Sequence, residues 1–262
     1  MITCKLSGGL GNQIFQIFAT ISLAIKNNQA FYFLNVKGFD GNGVIPYRKT
    51  YFDTFFKNLK LLDNYVESNT INEVNFNYNN IQINSENTLL DGYFQSYKYF
   101  QEHYLTICNI LNIKKPIFDG QSTASIHFRI GDYKYLQNCH PVLPLTYYEN
   151  AVNFIASKIN KILFFCEDEN IQEVMDIIDK LSISFKNITF VKAPSLIDYE
   201  EMLLMSCCEH NIIANSTFSW WGAYLNQCPN KIVCYPSTWF GPSLSCHNLD
   251  DLFPNEWVKI NC

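Results

Sequence analysis

The order of apolar and polar positions along this chain spells a succession of short strands and helices. Residues 1–7 read as a first strand, and Gly8-Gly9-Leu10-Gly11-Asn12-Gln13 then makes a tight turn. Residues 14–25 are apolar almost all round, the mark of a helix buried between layers. Residues 30–34 predict a second strand. Residues 40–86 are polar, rich in Asn and Tyr and weakly periodic, and predict loops and short helices. Residues 88–95 follow as a short strand and residues 97–111 as a helix. The second half alternates more cleanly. Strands fit residues 124–129, 161–166, 187–191, 211–214 and 231–235, and helices fit 146–157, 171–181, 199–208 and 218–226. Such β–α alternation is the pattern of a parallel sheet covered by helices. Pro, Gly and polar residues gather at 114–122, which places the division between an N-terminal half, 1–120, and a C-terminal half, 121–262.

Composition narrows the class. The 262 residues are 48% hydrophobic and 16% charged, enough for a full core and too apolar for disorder. A formal net charge of −5 offers no basic face, so nucleic acid is not an expected partner, and any bound anion must be held by a few placed residues. No apolar run approaches the roughly 18–20 residues of a membrane span. The opening reads as strand and turn rather than as a secretory signal. The expectation is a cytoplasmic protein with no integral membrane segment; peripheral membrane association and oligomeric state stay open. Ten cysteines show no C-x-x-C spacing, and Cys4, Cys166 and Cys234 fall inside apolar strands, so reduced core thiols are expected. Cys139-His140, Cys246-His247, and Cys207-Cys208 with His210 lack persuasive metal-ligand spacings.

Chemistry gathers at the predicted strand ends, where open α/β sheets bind ligands. At the first, Arg129 and Asp132 flank Gly131 just past the strand. A guanidinium there suits a phosphate or diphosphate, because Arg offers a planar fork of donors and keeps its charge; the alternative is an ion pair that closes the strand end. At the second, Glu167-Asp168-Glu169 follows a buried strand. Those carboxylates either cap the next helix or accept hydrogen bonds from the amide edge of guanine. At the third, Asn215-Ser216-Thr217 precedes a helix and forms an N-cap or an anion nest. The opening turn does not complete a dinucleotide fingerprint. Ile14 stands where the third glycine belongs, and no acidic residue precedes Asp40, so an NAD site is not expected. The Gly9 and Gly11 amides with Asn12 still suit a phosphate.

Four motifs carry a family resemblance. Gly8-Gly9-Leu10-Gly11-Asn12-Gln13, Gly92-Tyr93-Phe94-Gln95-Ser96, His127-Phe128-Arg129-Ile130-Gly131-Asp132 and Asn215-Ser216-Thr217-Phe218-Ser219-Trp220-Trp221-Gly222 stand in the order seen in α-1,2-fucosyltransferases of glycosyltransferase family eleven. The resemblance spans nearly the whole chain. It implies an α/β fold of GT-B type, with two Rossmann-like halves of mostly parallel sheet, an acceptor-side N-terminal half, and a donor site served by the C-terminal half. It further implies GDP-β-L-fucose as donor, a glycan acceptor, no required metal or other cofactor, and inversion at the anomeric carbon. The lack of a D-x-D triplet is consistent with that.

Carried over by residue, the resemblance gives Arg129 the β-phosphate, turns His127 toward the nucleotide, and makes Glu167 or Asp168 the guanine reader. Asn215, Ser216 and Thr217 add donor contacts. Asn12 lies near the leaving oxygen, and Asp132 is either the base for the acceptor hydroxyl or the group that orients Arg129. His140 is a second candidate base in a loop, whereas Trp220-Trp221, Tyr147-Tyr148 and Cys207-Cys208 read as core. One departure stands out: the family pattern H-x-R-R-x-D has a second arginine where this chain has Ile130. Neighbours on a strand face opposite ways, so with Arg129 toward ligand Ile130 is expected in the core.

Overall fold

The computed structural model describes residues 1–262 apart from 41–45, 65 and 67. It divides into two compact units, Met1–Ile113 with His247–Pro254, and Lys114–Cys246 with Asn255–Cys262. The cut falls at Ile113/Lys114 rather than after residue 120, and a short late segment belongs to the first unit. Both units are α/β and built on mostly parallel sheets, the pair Gly38–Phe39 and Arg48–Lys49 of the first unit being antiparallel.

The first unit opens with β1 (Ile2–Cys4) and α1 (Leu10–Lys26). Ile14, Phe15, Ile17, Phe18 and Ile21 of α1 have no exposed surface, as its apolar circumference predicts. The strands β2 (Phe33–Leu34), β3 (Gly38–Phe39), β4 (Arg48–Lys49), β5 (Leu61–Leu62), β6 (Asn69–Asn72) and β7 (Thr88–Asp91) follow, then α2 (Tyr104–Leu111). β7 lies between β1 and β6 in a parallel sheet, with Thr88 opposite both Ile2 and Asn69. The short helices expected within 40–86 do not form among the described residues; turns and paired strands of two to four residues take their place. Phe52, Phe55, Phe56 and Leu59 do recur at helical spacing and are buried, but they sit on successive turns rather than on a helix. Residues 41–45, 65 and 67 of that stretch lie outside the described residues. The helix expected from 97 begins at Tyr104, after two 3-10 turns, the first capped by Ser96 Oγ accepting from Lys98 N at 3.3 Å.

The second unit holds β8 (Thr123–His127), α3 (Leu145–Ile155), β9 (Lys161–Phe165), α4 (Ile171–Ser184), β10 (Thr189–Lys192), α5 (Asp198–Met205), β11 (His210–Ile212), α6 (Thr217–Tyr224), β12 (Val233–Pro236) and β13 (Val258–Ile260). All six strands are parallel, in the order β10-β9-β8-β11-β12-β13. In chain order that is 3-2-1-4-5-6, the doubly wound arrangement. β13 had no counterpart in the sequence pattern. Alternate residues of β9 feed two cores: Ile162 and Phe164 join Tyr147, Val152, Val174 and Ile178, while Leu163 and Phe165 join Leu204, Met205 and Cys208. Trp220, Trp221, Tyr147 and Tyr148 are buried as expected. None of the ten cysteines is in a disulfide, but only Cys4, Cys208 and Cys234 are fully buried, a correction to the expected set of core thiols. Cys166 sits one residue past β9 and is half-buried, and Cys246 and Cys262 are exposed. No helix among the described residues is long and apolar enough to cross a membrane.

Candidate active site

The doubly wound order puts its reversal point between β8 and β11, where the two windings leave in opposite directions and a crevice opens beyond the carboxyl ends of the strands. The residues just past those two ends are 128–132 and 213–217. Beyond β8, Phe128 keeps one more ladder bond, N–H to Phe165 O at 2.9 Å. Phe128 and Ile130 turn into the core, 1% and 4% exposed, and Phe128 packs 4.4 Å from the Tyr148 ring. Arg129, between them, takes the opposite side. Its guanidinium pairs with Asp132, three residues on, and with Glu167 at the end of the adjacent β9. The Arg129–Asp132 ion pair, the alternative to a phosphate site, is present, and a third charge joins it.

This triad is partly sheltered, with the Arg129 side chain 15% exposed and that of Glu167 46%. Burial alone would lower the guanidinium's pKa; Glu167, Tyr133 and Asp132 outweigh it and the net shift is upward, so Arg129 stays charged. Gly131 is what admits Glu167, since a Cβ at that position would run into its carboxylate. Glu167 Oε2 also accepts from Asn170 Nδ2 at 3.2 Å. Asp168 is turned away from the triad and pairs with Lys192 on β10, its side chain 68% exposed. The two acidic neighbours therefore have different surroundings.

At the β11 end, the cap and nest readings separate by residue. Ser216 Oγ accepts from Phe218 N at 3.3 Å and so caps α6. Asn215 Nδ2 donates to Pro141 O at 2.9 Å and Trp239 O at 3.2 Å, fastening two loops, while its buried Oδ1 has no hydrogen-bond partner. Thr217 starts the helix and is half-buried. His127, last residue of β8, is buried with its ring 5.4 Å from Phe218 and its Nδ1 without a partner. Burial, aided by the nearby Arg129 charge, lowers its pKa to about 3. His140 is likewise held neutral, chiefly by burial, with Asp132 acting against the shift and Arg129 with it.

In the first unit, Gly8 adopts φ +74, which explains the glycine there, and Gly9 and Gly11 lead into α1. Gln95 Nε2 donates to Asn12 Oδ1 at 3.1 Å, joining the Gly8–Gln13 turn to the Gly92–Ser96 motif. Gln16 reinforces that join: its Nε2 donates to Gly92 O at 2.8 Å and Lys5 O at 3.1 Å, and its Oε1 accepts from Ser7 N at 3.0 Å. Buried glutamines inside an apolar helix were the overlooked signal for that role. Among the described residues, no three His, Cys, Asp or Glu side chains gather as a metal site would require.

Comparison with known proteins decides the family. Residues 1–261 match the family model for Glycosyl transferase family 11. The chain belongs to that family. Its relatives include the O-antigen biosynthesis glycosyltransferase WbnK of Escherichia coli, 30% identical over 99% of this chain and 100% of WbnK. An Escherichia coli alpha-1,2-colitosyltransferase is 24% identical over 99% of each chain. Among solved structures, the chain is similar to E. coli heptosyltransferase WaaC with ADP, at TM-score 0.45 and 10% identity, covering 100% of this chain and 92% of that one. As a family 11 member the protein is a glycosyltransferase, and the strand-end cluster is its candidate donor site.

The buried neutral His127 gives this family 11 enzyme a pH signature. Its folded pKa lies below the unfolded value near 6.5, so below pH 6.5 the unfolded chain binds a proton that the folded one refuses. The stability it permits is complete above pH 6.5 and declines as pH falls toward 3. Between pH 7 and pH 5 the loss from this residue is about 2 kcal/mol. Urea unfolding at both pH values is expected to show His127→Gln losing less stability than wild type by about that amount. Equal losses would show that His127 is not held neutral.

Proposed function

We propose that this glycosyltransferase moves L-fucose from GDP-β-L-fucose to a sugar hydroxyl, the 2-hydroxyl of a galactoside, with inversion and without a metal. The two α/β units are read as the halves of a GT-B-type enzyme, the C-terminal one binding the GDP-sugar and the N-terminal one serving the acceptor. The observation that carries this reading is Arg129: a sheltered guanidinium at the reversal point of a doubly wound sheet, beside the residue 215–217 turn. A donor diphosphate replaces Glu167 on Arg129, exchanging one anion for another at little desolvation cost. Asp168, held by an exposed pair with Lys192 and a 3.5 Å hydrogen bond from Ser195 Oγ, is the carboxylate freer to read the guanine amide edge. His127, Asn215, Ser216 and Thr217 line the donor's turn, and the unpartnered His127 Nδ1 and Asn215 Oδ1 fit that role. Asn12, with the Gly9 and Gly11 amides, is assigned to the leaving-group oxygen from its motif.

In the reaction the acceptor oxygen attacks the anomeric carbon from the face opposite the diphosphate. The bond from that carbon to the β-phosphate oxygen breaks, and its electron pair leaves with GDP. Arg129 stabilises the charge that develops there. Its engagement with Arg129 favours Asp132 as the orienting carboxylate rather than the base. His140, neutral and able to accept a proton, is then the candidate base. Ten cysteines without a disulfide suit a reducing, cytoplasmic setting.

The relative named an alpha-1,2-colitosyltransferase favours a second donor, since colitose is L-fucose without its 3-hydroxyl. A site that hydrogen-bonds that hydroxyl would discriminate strongly between the two sugars. The test is transfer itself, with GDP-fucose or GDP-colitose, a β-galactoside acceptor and EDTA, followed by NMR of the product. The expected result is an α-1,2-fucosyl linkage and released GDP. Colitosyl product alone would select the second donor, and no product from either would remove the guanine-nucleotide reading.

A further inference from the structure

Beside the charged triad stands a ladder of rings in which only His140 has been given a role. The Arg129 guanidinium carbon lies 4.9 Å from the Tyr133 ring centroid. Tyr133 stacks on His140, centroids 5.1 Å apart and planes at 21°, and His140 meets Phe240 at 5.6 Å. The far end of Tyr133 is tethered as well, its hydroxyl donating to Asn215 O at 3.1 Å. Asn215 in turn holds Pro141 O and Trp239 O, the neighbours of His140 and Phe240. One side chain thus reaches from the segment after β8 to the segment after β11, across the reversal point.

We propose that Tyr133 is the positioning residue of the donor site: its ring is the floor on which Arg129 lies, and its hydroxyl straps the two strand ends together. The inference rests on the reading that Arg129 holds the donor diphosphate. Its logic is geometric. A guanidinium hydrogen-bonds through its edge and stacks through its face, so a ring beneath it does not compete with an incoming phosphate. The carboxylate of Glu167 does compete, and when the diphosphate displaces it one contact that orders Arg129 is lost. Arg carries about 2 kcal/mol of rotamer entropy, which would otherwise oppose binding. The Tyr133 ring stays in contact throughout and keeps the fork aimed. His140 stacks on the same ring, and Phe240 packs against His140 in turn.

The test compares GDP affinity by calorimetry in wild type, Tyr133→Phe, Tyr133→Leu and Arg129→Ala, with unfolding midpoints and donor and acceptor KM alongside. Removing the ring with Leu is expected to weaken GDP binding roughly 5- to 30-fold, the size of a sheltered cation–ring contact. Donor KM should rise in parallel while acceptor KM does not move. The Phe variant, which keeps the floor and loses only the strap, should stay within about threefold of wild type. Tyr133 is only half-buried, so Leu should fold; Tyr133→Met is the substitute if it does not. GDP affinity unchanged in the Leu variant but lost in Arg129→Ala would overturn the inference and leave the donor reading standing. Equal weakening by Phe and Leu would also overturn it, since the ring would then contribute nothing. Failure of wild type to bind GDP would remove both.

Discussion

Arg129→Ala is expected to lower kcat/KM for the sugar donor by about 10²–10³-fold or more, the usual cost of one donor group removed from a leaving-group site. The loss should exceed that of a single missing hydrogen bond for a local reason. Asp132 and Glu167 both lean on this guanidinium, and without it two carboxylates face the incoming diphosphate with no cation between them. Arg129→Lys should recover only part of the activity, since an ammonium keeps the charge but has neither the planar fork nor the flat face that rests on Tyr133. The fold should survive, because the side chain lies outside the core that Phe128 and Ile130 join. Steady-state kinetics with a thermal unfolding control checks this. Turnover within tenfold of wild type would mean that the diphosphate is held elsewhere.

Ile130→Arg is expected to destabilise the second unit by roughly 3 kcal/mol or more, and not to improve donor binding. The family pattern carries an arginine at this position, so the substitution looks like a repair. The structure argues otherwise. Ile130 is 4% exposed in the cluster that includes Phe128, Leu143, Tyr147 and Tyr148. A guanidinium there has to find its way out past packed rings or remain unpaired in a low-dielectric core. Ile130→Val, which only trims a methyl, should cost about 1 kcal/mol. Denaturant titrations separate the cases. An Ile130→Arg protein with wild-type stability and tighter GDP binding would show that the site wants the second arginine.

Part of the fold and of the candidate site is legible in the sequence. Alternation along residues 124–129 was enough to send Arg129 and Ile130 to opposite sides, and with Arg129 facing outward the buried Ile130 follows. The four β–α steps of the second half, and the strand that follows them, were visible because most strands and helices there are long enough to show their period. β13 was not, since three residues after a polar loop carry no period to detect. The same holds for β3, β4 and β5, two residues each, whose existence depends on the partner strand rather than on their own sequence.

The site divides along similar lines. Arg129, Asp132 and Glu167 were recognisable as strand-end charges, but their meeting required the sheet order that makes β8 and β9 neighbours. Glu167 and Asp168 were interchangeable in sequence and are separated only by which cation each one reaches. Tyr133 gave no signal at all. An aromatic beside a charged motif reads as packing, and its relation to Arg129, His140 and Asn215 is wholly three-dimensional.

A calorimetric titration of GDP into wild type and Arg129→Ala, in EDTA, shows whether a guanine nucleotide sits on the second unit through Arg129. Saturable binding to wild type, insensitive to the chelator, and its loss in the variant are expected. Equal binding by both proteins would contradict the site, and no binding to wild type would contradict the donor.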